Sequence, residues 1–285
     1  MGKNDADMNE FNDISALDPE TALAQLVDAI GELLDIGDYD TVLEESTQVI
    51  ELEDAPPHLQ ADALAHRAMA KSELGDAEGA VEDFNRAAEI YGDDGSRLAF
   101  VLVHRSTAYG NLGMAEQEIA DLNQAIDMPD VPPELHAYAL MNRAVIKEQA
   151  GDLVAAAADY EIFFRSAQPE PHNEAWTRCN YGWLLYRQGD YQGSLEQTQM
   201  GLEIDPEISF GYSNVGLALL RLGRYREAKR AYKQALKMIG STEELDAVML
   251  GDLKTLEAES PDTPGLAKIL KIVEKRRAKL AKREG

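Results

Sequence analysis

The sequence predicts an all-α solenoid of about six helix pairs, closed by two C-terminal capping helices. A glycine recurs along most of the chain at an almost constant interval, and apolar residues with a helical period run on both sides of it. Glycine is expected where one helix ends and the next begins, because it adopts positive φ without strain. The recurring glycines are Gly37, Gly75, Gly113, Gly151, Gly189 and Gly223, spaced by 38, 38, 38, 38 and 34 residues.

The same pattern predicts where the helix pairs begin and end. We expect them to fill residues 19–240, after an acidic and disordered N-terminal segment, 1–18. Proline marks many junctions between pairs, since it ends one helix and is tolerated in the first turn of the next. Two further helices are predicted, one over 243–259 and one from Thr263 to about Lys282. The region 241–285 would then cap the apolar end of the solenoid and finish in a basic tail.

Composition excludes several classes of protein. The 285 residues include one cysteine, Cys179, which excludes an internal disulfide and a multi-cysteine metal site and indicates a reducing compartment. No apolar run approaches the roughly 18 residues that a membrane span needs, and the N-terminus lacks the features of a signal peptide. We therefore expect a cytoplasmic protein without a membrane partner.

The charge is unevenly distributed along the chain, with a total of −25. Residues 1–220 carry 42 Asp and Glu against 11 Lys and Arg, whereas residues 221–285 carry 10 against 16. An acidic body attracts cationic partners and disfavours nucleic acid, whose binding depends on neutralised phosphates. Three roles stay open for the basic helix over 271–283: a solvated end, a strip that docks on the acidic superhelix or a partner, or a weak contact with nucleic acid or anionic lipid.

Small and aromatic residues recur at fixed distances from each glycine. The positions seven before, five after and twelve after it are mostly small, which lets two antiparallel helices approach closely. The position nine after it carries Phe84, Leu122, Tyr160 and Tyr232 in four of the pairs. These columns resemble those of the tetratricopeptide repeat (TPR) family over about residues 20–240, with six repeats of mostly 38 residues. The resemblance implies a right-handed αα-superhelix whose concave surface is lined by the first helix of each repeat.

Two further columns pair arginine with aspartate. In repeats two to four, arginine stands eight residues before the glycine and aspartate eight after it, and both are absent from the last two repeats. We expect ion pairs between the two helices of a repeat or across one junction, which fix helix register more than they add stability. The alternative is two unrelated polar surface columns. The predicted pairs are Arg67–Asp83, Arg105–Asp121 and Arg143–Asp159.

A stripe on the first helix of each repeat is the candidate binding surface. It lies 13, 9, 6 and 2 residues before the glycine, which is one helical face. Repeats four to six carry asparagine in this stripe, and similar asparagine ladders grip the backbone of extended peptides in some TPR superhelices. The alternative is that these amides bond only to neighbouring helices. The candidate peptide-binding residues are Tyr138, Asn142, Trp176, Asn180, Trp183, Tyr186, Arg187, Phe210, Asn214 and Arg221.

The candidate residues have three expected roles. The aromatic side chains would be apolar anchors, the asparagines would bond to the ligand backbone, and Arg187 and Arg221 would meet a carboxylate. Tyr181 and a tryptophan could instead refill space left by Gly201 and Thr198 in the fifth repeat. Acidic residues on the N-terminal first helices indicate a ligand with basic residues toward one end.

We interpret the chain as a protein–protein interaction adaptor that binds an extended peptide or partner helix in the concave groove of repeats three to six. No motif for catalysis, metal ligation or cofactor binding occurs, so we expect no enzyme and no metal or cofactor. Two alternatives stay open. One is a self-assembling structural protein that forms homo-oligomers, and the other is an RNA-associated protein that acts through the basic C-terminal helix.

Overall fold

A computed structural model describes residues 18–166 and 169–284, and all regular structure in these residues is helical. The predicted disordered segment 1–18 lies outside the described residues except for Asp18. The chain divides into two compact units, with the boundary between Leu135 and His136. Helices that follow one another along the chain pack together within each unit. The predicted all-α arrangement of helix pairs in sequence order is therefore confirmed.

Within residues 18–135, six helices form repeats one to three of the first unit, and a seventh helix begins at the end of that unit. In each repeat the odd-numbered helix is the first of its pair. They are α1 (Pro19–Asp35), α2 (Tyr39–Glu51), α3 (Pro57–Glu73), α4 (Ala77–Tyr91), α5 (Gly95–Asn111) and α6 (Ala115–Asp127).

The second unit contains repeats four to six and the C-terminal region. Its helices are α7 (Pro133–Gln149), α8 (Leu153–Ser166), α9 (Pro171–Arg187), α10 (Tyr191–Ile204), α11 (Ser209–Arg221), α12 (Tyr225–Met238), α13 (Thr242–Leu245), α14 (Gly251–Glu259) and α15 (Leu266–Glu284). A π-helical turn, Asp246–Leu250, joins α13 to α14 without a break.

The six recurring glycines make the turn inside each helix pair, as predicted. All six have φ between 70° and 86°, a range that a residue with a Cβ enters only with strain. In four repeats the next residue is an aspartate that caps the second helix, because its carboxylate accepts a bond from the backbone N–H three residues on. Gly-Asp thus ends one helix and starts the next.

The space between paired helices is filled by the predicted columns. Ala80, Ala87, Ala156, Ala228 and Ala235 are fully buried at the small positions. The larger side chains nine residues after the glycine are buried as well: Phe84, Leu122, Tyr160 and Tyr232. Small residues bring the two helices of a pair close, and one large side chain then fills the remaining gap.

All three predicted ion pairs are present within a repeat. Arg67 donates from Nε and Nη2 to the two carboxylate oxygens of Asp83, both at 2.8 Å. Arg105–Asp121 and Arg143–Asp159 have the same two-bond geometry at 2.7–2.9 Å. The aspartates are buried, and such charge-assisted pairs of bonds fix the register of the two helices.

The C-terminal region closes the apolar end of the second unit. Leu245, Met249 and Leu253 join Leu266 and Ile269 in one buried cluster with side chains of α11 and α12. The predicted helix over 243–259 is present as α13, the π-helical turn and α14. The last helix begins at Leu266 and not at Thr263, because Gly265 has a φ of 85° and ends a turn there.

Candidate functional site

The candidate residues lie on α7, α9 and α11, the first helices of repeats four to six. On α9, Trp176, Asn180, Trp183 and Arg187 are spaced i, i+4, i+7 and i+11 and therefore share one face. The buried residues of the same helix, among them Ala175, point elsewhere. The stripe predicted from the sequence is thus a continuous helical face.

Trp176 forms an open aromatic patch with its neighbours. Trp176 is 41% exposed, more than any other aromatic candidate of the stripe. The Trp176 ring lies 4.9 Å from the Phe210 ring of α11 and 5.8 Å from the His172 ring. His172 is itself held by Asp205, with 3.0 Å between Nδ1 and Oδ2. Aromatic rings from two neighbouring first helices are therefore in contact, with Trp176 exposed and Phe210 half-buried.

The three asparagines of the stripe differ in how their amides are used. Asn142 and Asn180 are half-buried, and in the described part of the chain neither amide bonds to another residue. Asn214 is buried and donates from Nδ2 to the backbone carbonyl of Cys179 at 3.2 Å. The alternative of bonding to a neighbouring helix thus describes Asn214, whereas two amides stay available to a ligand.

Both candidate arginines have carboxylate partners inside the chain. Arg187 donates from Nη1 to the backbone oxygen and Oε1 of Glu148, both at 3.1 Å. Burial raises the pKa of the Glu148 carboxyl, although the bond from Arg187 opposes the rise. Arg221 donates from Nη2 to Oε2 of Glu259 at 2.6 Å and from Nη1 to the Ser260 hydroxyl at 3.0 Å.

Sequence reasoning missed these two acidic partners. Glu148 belongs to the preceding repeat and Glu259 to the C-terminal region, each nearly 40 residues away from its arginine. The sequence feature that could have indicated these partners is the position of each glutamate at the end of a helix. A ligand carboxylate would have to compete with Glu148 for Arg187, or with Glu259 for Arg221.

The remaining aromatic candidates are partly built into the structure. Trp183 and Tyr186 stack with ring centroids 5.5 Å apart and pack against the buried cluster of the second unit. The guanidinium of Arg221 lies 5.9 Å from the Tyr186 ring and 5.3 Å from the Tyr191 ring. Tyr138 is half-buried on α7, at the position equivalent to Trp176. Trp176 is therefore the most accessible of the aromatic anchors.

Close packing explains the unusual residues of the fifth repeat. A Cβ on Gly201 would lie 2.6 Å from the Ala175 carbonyl oxygen and 2.8 Å from Sγ of Cys179, so only glycine fits. Tyr181 packs against Tyr160 with ring centroids 5.4 Å apart. Cys179 is fully buried, and burial raises the pKa of its thiol to about 12, far above that of a reactive nucleophile.

The described residues contain no group of three or more His, Cys, Asp and Glu placed to hold a metal ion. Within the same residues, every helix is too short or too polar to cross a membrane.

Two models of the tetratricopeptide repeat family match the chain, over residues 61–94 and 209–239. The matched segments correspond to α3–α4 in the first unit and α11–α12 in the second. The repeats that carry the clearest sequence columns are thus recognised independently in both units.

Solved structures with the same fold span most of the chain. The apo form of the quorum sensor NprR from B. thuringiensis is 14% identical, with a TM-score of 0.66 over 93% of this chain and 84% of that one. A tetratricopeptide repeat protein from Parabacteroides merdae is 17% identical, with a TM-score of 0.59 over 89% and 99%. BtubC from P. vanneervenii is 15% identical, with a TM-score of 0.59 over 76% and 91%. At these identities the likeness shows the fold alone. The family matches, the glycine-turn helix pairs and the shared fold together identify the chain as a tetratricopeptide repeat protein.

Proposed function

We propose that this protein is a non-catalytic adaptor that binds a segment of a partner protein along α7, α9 and α11. The observation that carries the proposal is that Asn142 and Asn180, whose amides have no partner among the described residues, share a stripe with the exposed Trp176, whose ring contacts Phe210. Exposed apolar groups beside unpaired polar groups are typical of a recognition surface.

The two asparagines suit the backbone of an extended segment. Each amide offers donors and an acceptor, so it can bond to one peptide N–H and one carbonyl. Such a bond contributes about 1 kcal/mol net, because the free amide is otherwise hydrated. Trp176 and Phe210 would supply most of the affinity by burying an apolar side chain of the partner.

Charge favours a partner segment with basic residues. The net charge of −25, which arises in residues 1–135, raises the encounter rate of the whole chain with cations. Arg187 and Arg221 receive no ligand-binding role in this proposal, because Glu148 and Glu259 already neutralise them. We also place the protein in the cytoplasm, on the ground that its one cysteine is a free and buried thiol.

A random peptide library tests the proposal while the partner is still unidentified. Peptides selected from the displayed library against the full chain would be titrated against the wild type and against Trp176→Ala with Asn180→Ala. We expect the double substitution to weaken binding by about 100-fold, since it removes an anchor and a backbone contact.

A matched control substitutes two exposed apolar residues on α10, Met200→Ala with Ile204→Ala, which lie off the stripe. This variant should bind like the wild type, and circular dichroism should show that both variants stay folded. If the variant with Trp176→Ala and Asn180→Ala bound the peptides as tightly as the wild type, the assigned site would be wrong. Loss of binding in the α10 control alone would place the ligand on the second helices.

A further inference from the structure

The second helix of the sixth repeat carries a stripe of cations on its outer side. Arg226, Arg230, Lys233 and Lys237 are exposed and spaced i, i+4, i+7 and i+11 on α12. The buried residues of α12 lie on the opposite side of the helix: Ala228, Ala231, Tyr232, Ala235 and Leu236. The stripe therefore points away from the core.

The last helix continues this basic surface. Five exposed lysines of α15 form a stripe opposite its buried side: Lys268, Lys271, Lys275, Lys279 and Lys282. Near the start of α15, Nζ of Lys268 lies 5.9 Å from the centre of the Tyr225 ring, and further along Arg276 donates to the Ile239 carbonyl at 2.9 Å. The two helices thus lie side by side in the same direction, and we call their two outward stripes together the basic face.

The charges of the basic face are almost unneutralised. Among the described residues, a carboxylate comes within 4.0 Å of only one of the nine cations, Arg230, whose partner is Glu227. Lys237 donates to the Gln234 amide. A cluster of like charges that its own chain leaves unpaired favours a polyanionic partner.

The first unit carries a surface of opposite charge in the same columns. Three, seven and fourteen residues after the recurring glycine, repeat six has Arg226, Arg230 and Lys237. Repeats one and two have only carboxylates in these columns, which we call the acidic face: Asp40, Glu44 and Glu51 on α2, and Glu78, Glu82 and Glu89 on α4. All six are exposed, and none belongs to an ion pair in the described part of the chain.

The acidic face, like the basic face, extends over two helices. The helices α2 and α4 flank α3, whose Arg67 contacts Thr47 on the one and Asp83 on the other. Each face therefore spans two helices. Successive charges on α12 are one turn apart, whereas those on α2 and α4 are one and then two turns apart. The cations next to the acidic face are turned toward Asp83: Nη1 of Arg86 lies 3.9 Å from its carboxylate and Nζ of Lys71 lies 2.7 Å from it.

We propose that the basic face binds the acidic face of a second copy of this chain. In three columns the charges of α12 match those of α2 and α4 in position and are opposite in sign, so the chain itself carries a surface complementary to its basic face. A membrane surface is disfavoured because neither α12 nor α15 exposes a large apolar side chain. Single-stranded nucleic acid is disfavoured because the described stripes contain no exposed aromatic ring on which a base could stack.

The association is expected to be weak and sensitive to salt. Each exposed ion pair contributes about 0–1 kcal/mol, so several together support only a reversible contact. Sedimentation velocity of the full chain should show concentration-dependent association at about 50 mM salt. The protein should be a monomer at about 500 mM salt, where the Debye length is only a few ångströms.

Charge reversal on each face identifies the contact. The variant Arg226→Glu with Lys233→Glu, and the variant Glu44→Lys with Glu82→Lys, should each be monomeric at low salt. An equal mixture of the two should associate again, because each keeps the face that the other lacks. The acidic-face variant is the sharper test. It lowers the overall negative charge, so if general repulsion alone controlled association, this variant would associate more strongly than the wild type.

A matched control reverses two exposed cations off both faces, Arg165→Glu with Lys254→Glu, and should associate like the wild type. A wild type that stays monomeric at low salt overturns the proposal. So does dissociation of the matched control, or a mixture of the two face variants that stays monomeric. Binding of the basic face to anionic vesicles or RNA by a monomeric wild type would assign the surface to another partner and overturn it equally.

Discussion

Arg105 ties three helices together through one guanidinium group. It bonds twice to Asp121 on α6, and its Nη1 donates to Oδ1 of Asn85 on α4 at 2.7 Å. The hydrogen bonds that Arg105 donates to Asp121 are the main cause of the raised pKa of Arg105. Because both charges are largely withdrawn from water, each needs the other.

Removing one partner of this pair should cost far more than removing both. We expect Asp121→Ala to lower the free energy of unfolding by about 3 kcal/mol, because it leaves a buried guanidinium without its anion. The double substitution Arg105→Met with Asp121→Leu should cost about 1 kcal/mol or less. Urea unfolding followed by circular dichroism measures both. If Asp121→Ala lowered the free energy of unfolding no more than a typical surface substitution does, water would have access to the ion pair.

The carboxyl group of Asp252 should make the stability of the C-terminal region depend on pH. Burial raises the pKa of its carboxyl to about 6, and no described residue donates a hydrogen bond to it. An unfolded aspartate has a pKa of about 3.9, so the folded chain binds this proton more tightly and loses stability as the pH rises from about 4 to about 6.

The substitution Asp252→Asn removes this penalty. We expect it to raise the free energy of unfolding by about 1–2 kcal/mol above pH ~6 and to leave it unchanged near pH 4. Unfolding of the wild type and the variant at a series of pH values gives the difference directly. A constant difference across the range would mean that packing, and not ionisation, distinguishes the two side chains.

Each helix pair depends on a turn that only glycine makes without strain. At Gly151 φ is 86° and no side chain crowds the position, so a substitution there tests backbone conformation alone. Gly251 is exposed on α14, where an added Cβ would meet only the Asp246 carbonyl oxygen at an ordinary 3.7 Å. The two positions therefore separate strain from helix propensity.

Alanine should have opposite effects at these two glycines. Gly151→Ala should lower stability by about 1 kcal/mol, since alanine is strained at positive φ. Gly251→Ala should raise stability by about 0.5–1 kcal/mol, because alanine loses less entropy in a helix. Thermal unfolding of both variants makes the comparison. If both substitutions changed the stability in the same direction, the turn assigned to Gly151 would be wrong.

Charge is segregated between the two units. Residues 1–135 carry 31 Asp and Glu against 6 Lys and Arg, whereas residues 136–285 carry 21 of each. The first unit therefore repels itself electrostatically, and the second does not. Both tryptophans, Trp176 and Trp183, lie in the second unit, so their fluorescence reports on that unit alone.

Salt should stabilise the first unit more than the second. At a protein concentration low enough for a monomer, raising the salt from about 20 to about 300 mM should raise the unfolding temperature seen by circular dichroism by about 3–5 °C. The temperature seen by tryptophan fluorescence should rise less. Equal shifts by both probes would show that the repulsion is shared by the whole chain.

The sequence alone determined the features that depend on local chemistry. The glycine turns follow from the φ range of one residue type, and the Arg–Asp pairs follow from two columns 16 residues apart within one helix pair. The shared face of Trp176 and Asn180 follows from helical periodicity. Each of these features is decided inside one helix or one hairpin, where spacing along the chain fixes spacing in space.

The tertiary structure alone decided how the stripe is used between repeats. Glu148 and Glu259 occupy Arg187 and Arg221, and the Asn214 amide bonds to a carbonyl of the preceding first helix. The contacts of Asn214 and Arg187 join residues 35 and 39 positions apart, on successive first helices. The distance and rotation between successive helices come from side-chain packing, so a repeating sequence can place an amide on the stripe but cannot say whether a neighbouring helix reaches it.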